Sequence, residues 1–138
     1  MGYTLTIGEA TVDSLPSIKE IVEDWDGKVS SRISINPVFL DEAPADGSPT
    51  DHTNQCWPSY TAWGCFVDQV GLRALFFDEN GGLLRSHPGC YALTPAHLAT
   101  IEAVGASVPE DQRPRYDWLL FWVRWALANC KTPAIKNT

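Results

Sequence analysis

Two histidine–cysteine pairs are the residues in this chain whose types and spacing could do chemistry. His52 and Cys56 stand four apart, and His87-Pro88-Gly89-Cys90 sets a second pair three apart. Neutral imidazole and thiolate are preferred ligands of Zn²⁺, and one metal can bridge each pair, with Pro88-Gly89 as a ligand knuckle. His52, Cys56, His87 and Cys90 are therefore candidate zinc ligands, although sites with strong sequence signatures use tighter and more regular spacing. The same residues allow a cysteine enzyme, with Cys90 as nucleophile and His87 or His52 as base. That needs a lowered thiol pKa and a third, orienting group, for which Asp51 is the nearby candidate. Cysteine also serves as a small core hydrophobe, which is the reading for Cys65, among Trp63, Phe66 and Val67, and for Cys130.

The richest polar and aromatic stretch, Thr50 to Tyr60, runs into a helix N-terminus, where free backbone N–H groups favour an anion. Asp51, His52, Asn54, Trp57 and Tyr60 are candidate ligand-binding residues, with Gln55 and Ser59 able to add hydrogen bonds. Arg85 and His87 supply positive charge to the same pocket if the loops converge. The plainer alternative is a capping segment in which Asp51 and Asn54 tie down a long loop and Trp57 plugs the core.

Elements must position these groups. With 138 residues, 44% hydrophobic and 20% charged, the chain suits one compact domain with a real core, not disorder and not two domains. Tyr3 to Ile7 alternates like a strand and Gly8 is expected to end it, while Ser17 to Trp25 has helical spacing. Arg32 to Ile35 reads as an edge strand before Pro37. Residues 40–56 form a long irregular loop rich in Pro, Gly and Asp. Pro58 opens a helix through Val70 that Gly71 and Leu72 terminate. Glu79-Asn80-Gly81-Gly82 between apolar runs signals a β-hairpin over 74–86. Thr94-Pro95 starts a helix to Val104, a last helix runs from Pro114 to Cys130, and a short tail follows Pro133. The class is α+β: a small antiparallel sheet packed against three to four helices.

The last helix is apolar around most of its circumference, with Asp117, Arg124 and Lys131 seven apart on one narrow stripe. Trp118, Trp122 and Trp125 make an aromatic ridge that suits a buried core helix, or a homodimer face. No apolar run approaches the roughly 20 residues of a membrane span. No secretory signal is expected, so the protein reads as soluble and cytoplasmic with reduced thiols. Gly2 and Thr6 fit a myristoylation pattern but lack a basic second anchor.

Charge excludes more. The net charge is −7, and eleven of the seventeen acidic residues precede Val70 with only three of the ten bases. Direct nucleic-acid binding, which needs a basic footprint, is not expected. An acidic strip of Glu20, Glu23, Asp24, Asp26, Asp41 and Asp46 could instead imitate nucleic acid towards a host enzyme.

Three stretches, Thr50 to Tyr60, Arg85 to Cys90 and the helix from Trp118 to Cys130 followed by Pro133, resemble small uncharacterised proteins of tailed bacteriophages and prophages. The resemblance implies a setting, the cytoplasm of an infected bacterium or a phage particle, and transfers no catalytic residue. The first functional expectation is accordingly a non-enzymatic binding protein, occupying a host protein or sequestering a small anionic, nucleotide-like ligand. Alternatives are an assembly protein forming a homo-oligomer through the Trp-rich helix, and a zinc- or cysteine-dependent enzyme.

Overall fold

The computed structural model describes residues 1–12, 33–40 and 49–138. In it the alternation that begins at the N-terminus runs through Gly8 as strand β1 (Leu5–Val12). Gly8 does not end the strand. A Cβ there would lie 3.1 Å from the Ile35 side chain and 3.2 Å from the Asn54 amide, so glycine serves close packing. The expected helix over 17–25 lies outside the described residues, as do all six members of the acidic strip.

Strand β2 (Ile33–Ile35) pairs antiparallel with the far end of β1, Ala10 opposite Ile35, and forms the sheet edge as its neighbour Pro37 suggests. The long loop is not irregular throughout. Gln55–Cys56 forms β3 against the near end of β1, with Leu5 opposite Cys56, and Phe39 bridges Thr53. Residues 41–48 of that loop are outside the described part.

Helix α1 (Tyr60–Val70) starts where Ser59 accepts the Ala62 N–H, and ends at Gly71 with φ 80°. The Leu72 N–H then reaches back to the Val67 carbonyl at 2.8 Å, the expected termination motif. The expected hairpin over 74–86 is absent. Arg73–Phe77 is a short helix, α2, because buried Leu72 and Phe76 are four apart and match a helical turn. Asn80-Gly81-Gly82 does turn the chain, with Gly81 at φ 114° and the Asn80 N–H on the Asp78 carboxylate. It returns Leu83 and Leu84 to the α2 carbonyls of Leu75 and Phe76, not to a partner strand.

Strand β4 (Gly89–Ala92) precedes helix α3 (Pro95–Ala103), and helix α4 (Arg113–Asn129) follows two 3₁₀ turns. The residues after Pro133 are no tail. Pro133–Asn137 is strand β5, inserted between β1 and β4 in the order β2-β1-β5-β4. Proline fits the first position of a strand, and the Glu9 carboxylate accepts the N–H groups of Lys131 and Thr132 just before it. The fold is therefore α+β, with a curled antiparallel sheet and four helices among the described residues. Helix α4 lies on β1 and packs against α3, burying Tyr116, Trp118, Leu119, Trp122, Val123 and Ala126. No described helix is long and apolar enough to cross a membrane.

Helix α3 carries a capping box: Thr94 accepts the His97 N–H, and His97 Nδ1 accepts the Thr94 N–H at 3.0 Å. Burial holds the imidazole below its ordinary value, so His97 is neutral near pH 7. The unfolded chain then binds the proton more readily. His97 contributes stability above the unfolded value of about 6.5 that is lost as pH falls through its lower folded value. Thermal unfolding should show the midpoint falling between about pH 7 and about pH 5 more steeply in the wild type than in His97→Gln, which keeps the cap acceptor and removes the titration. Parallel profiles would exclude His97 as the source.

Candidate functional site

The candidate residues separate into several places. Asn54 is fully buried where β2 and β3 abut the same edge of β1, with a break between them. Its Oδ1 accepts the Val38 N–H at 2.8 Å, and its Nδ2 donates to the carbonyls of Ile7 (2.7 Å) and Asn36 (3.1 Å). It closes that break and offers nothing to a ligand. The capping alternative was therefore correct for Asn54 and not for Trp57, which is 49% exposed and cannot plug the core.

Asp51 and His52 lie elsewhere. Asp51 Oδ1 stands 3.6 Å from His52 Nε2, and Asp51 borders an open groove of about 750 Å³ along α4 with Phe121, Arg124 and Trp125. Trp118 and Trp122 are wholly buried in the chain's own core, Trp118 through an indole N–H to the Thr53 carbonyl at 2.8 Å. Two of the three ridge tryptophans are thus withdrawn from any partner, which corrects the interface expectation. Trp118 backs the groove from the core, and half-buried Trp125 is the ridge tryptophan that offers exposed surface there.

The two cysteines of the metal set do not meet the chemistry asked of them. Cys56 and Cys90 are fully buried, and desolvation pushes both thiols up to about 12, against weaker opposing pulls from Arg115 and Lys136 respectively. A nucleophilic cysteine needs the opposite shift. Both ring nitrogens of His87 already have partners, Asn137 and Tyr60. Among the described residues, no group of three or more His, Cys, Asp or Glu side chains is placed to hold a metal ion, so His52, Cys56, His87 and Cys90 do not converge.

Two polar clusters remain. In the first, Tyr60 and His87 are hydrogen bonded and their rings meet Tyr3 edge-on, at 4.9 and 4.8 Å. In the second, Arg85 leaves the loop after α2 and lays its guanidinium 3.8 Å over the Tyr91 ring, while its Nη1 donates to the Gly82 carbonyl at 3.1 Å. Arg85, Tyr91, Thr94 and His97 line a pocket of about 230 Å³. Because His97 Nδ1 accepts from the Thr94 N–H, its proton sits on Nε2 and makes that nitrogen a donor. Trp57 lines a different pocket, of about 320 Å³, with Tyr3 and Ser59. The single convergent pocket of Trp57, Arg85 and His87 is therefore not what the chain builds.

Residue types alone did not single out Tyr3, Tyr91, His97 or Asn137. His97 had one local signal, its place three residues after Thr94. Asn137 had none, since it lies in residues read as a tail. No protein-family model matches this chain, and searches of curated proteins and of solved structures find no match either.

Proposed function

We propose that this is a non-enzymatic binding protein that retains a small anion, the phosphoryl group of a nucleotide-like ligand, at Arg85. One observation carries the reading. Arg73, Arg113 and Arg124 are paired with Asp68, Asp117 and Glu102, whereas Arg85, like Arg115, has no carboxylate partner among the described residues, and Arg85 lines a pocket. Its charge is met by a carbonyl and a ring, and a guanidinium has five N–H donors, most of them left for a ligand. His97, whose Nε2 is a donor, lines the same pocket, which at about 230 Å³ suits a phosphoryl group with the rest of the ligand outside. In the phage setting that the resemblance implies, such a protein would sequester its ligand in the host cytoplasm.

Titration calorimetry with pyrophosphate and adenosine monophosphate tests this. Hydrogen bonds to charged groups contribute about 1.5–3 kcal/mol, so Arg85→Gln should weaken binding by roughly tenfold or more. Unchanged affinity in a folded Arg85→Gln protein, or no binding of either anion at millimolar concentration, would reject the assignment.

A further inference from the structure

A hydrogen-bonded chain runs from the buried last strand to an exposed phenol. Asn137 is fully buried, and its Nδ2 donates to the carbonyls of Ser86 (3.0 Å) and Gly89 (3.4 Å), which turns its Oδ1 towards His87 Nδ1 at 2.5 Å. An amide oxygen only accepts, so Nδ1 carries the imidazole proton and Nε2 keeps its lone pair. The Tyr60 hydroxyl lies 3.0 Å from Nε2 and must donate to it. Nucleophile, base and orienting group thus stand in the order that activates serine and cysteine nucleophiles, with a phenol in the nucleophile's place. Tyr60 is 40% exposed, so a reagent can reach it. Tyr3, in edge contact with both Tyr60 and His87, also walls a pocket lined by Trp57, Pro58 and Ser59, where the two aromatic rings can meet an aromatic leaving group.

We propose that Tyr60 is an acyl acceptor towards activated esters with an aromatic leaving group, with His87 as its base and Asn137 as the positioning residue. The Tyr60 oxygen bonds to the ester carbonyl carbon as its proton passes to His87 Nε2. On collapse the bond between that carbon and the leaving oxygen breaks, and the leaving phenol takes the proton from Nε2. Tyr60 is left as an aryl ester and His87 neutral, with no change of oxidation state and no further reactant. This site shares no residue with the Arg85 pocket and stands or falls separately from it.

The test uses p-nitrophenyl acetate, with the acetyl group located by peptide mass mapping and N-acetyltyrosinamide as the reference phenol. General-base assistance contributes about 10²–10⁴-fold when fully developed. Tyr60 should acetylate at least about tenfold faster than the reference, and His87→Gln should slow it by a similar factor. Tyr60→Phe should carry no label in that peptide at this position. A Tyr60 rate no greater than the reference overturns the proposal without any variant, and so does a rate unaffected in folded His87→Gln. Long-range proton–nitrogen NMR of the wild type should find the His87 proton on Nδ1. A proton on Nε2 would refute the role given to Asn137.

Discussion

Ending the chain at Thr132 is expected to leave it without a cooperative fold. The segment removed is β5, whose Ala134, Ile135 and Asn137 are fully buried between two neighbouring strands. Five residue pairs couple it to β1, from Leu5–Asn137 to Glu9–Pro133, and four couple it to β4. Its loss exposes the inner edges of both partners and strips the Ile7 and Tyr91 side of the core. Burying one isoleucine contributes about 1.5–3 kcal/mol, and small domains have only about 5–15 kcal/mol in all. A graded variant separates lost packing from a general truncation effect. Ile135→Ala should lower stability by about 2–5 kcal/mol while preserving the fold. Circular dichroism and denaturant titration decide the matter. A truncated chain with native spectrum and midpoint would mean that β5 is a dispensable tail after all.

The second large effect belongs to Asn54. Replacement by leucine keeps the volume and removes every polar contact, leaving the Val38 N–H and the carbonyls of Ile7 and Asn36 without their side-chain partner. The buried Ile7 carbonyl so orphaned costs about 1–3 kcal/mol, and the part-buried Val38 and Asn36 groups, which water can reach, add less, so the total is about 2–4 kcal/mol. Asn54→Asp is nearly isosteric and separates shape from polarity. Its carboxylate would still accept from Val38 but would set an anionic oxygen against two carbonyls. Burial and those carbonyls raise the folded pKa of the introduced acid, so its deficit is full at neutral pH and shrinks as acid protonates it. Urea titrations of both variants at two pH values measure this. Loss below about 1 kcal/mol in Asn54→Leu would show that the bonds contribute little net stability.

Much of the helical architecture was legible because helices are specified locally. Thr94 caps, Gly71 stops, and the buried spacing of Trp63, Phe66, Val67 and Val70 is that of a helix face, although Ser59 and not Pro58 turns out to begin it. The polar stripe of Asp117, Arg124 and Lys131 was equally readable, and all three are exposed. Failures fell where a segment's state depends on a distant partner. Pro133-Ala-Ile-Lys-Asn does not alternate apolar with polar, and it becomes a central strand only because β1 and β4 flank it. The 74–86 hairpin failed for the reverse reason. Its turn residues were read correctly, but the preceding apolar run closes onto α1 as a helical turn instead of extending.

The candidate site divides in the same way. Residue types alone brought forward Tyr60, Arg85 and His87, because polar and aromatic side chains beside turns and helix starts are exposed by default. They could not say that Asn54 would be consumed by a backbone gap, or that Cys56 and Cys90 would be sealed in the core. Nor could they join His87 to Asn137, fifty residues away, or Arg85 to Tyr91 and His97 in one pocket. Sequence by itself determined the α+β class, the bounds of three of the described helices to within about two residues, and a net charge of −7. Tertiary structure alone decided which polar groups keep free donors and lone pairs. Hydrogen-bond partners are shared out among residues remote in the chain, and no local pattern records that allocation.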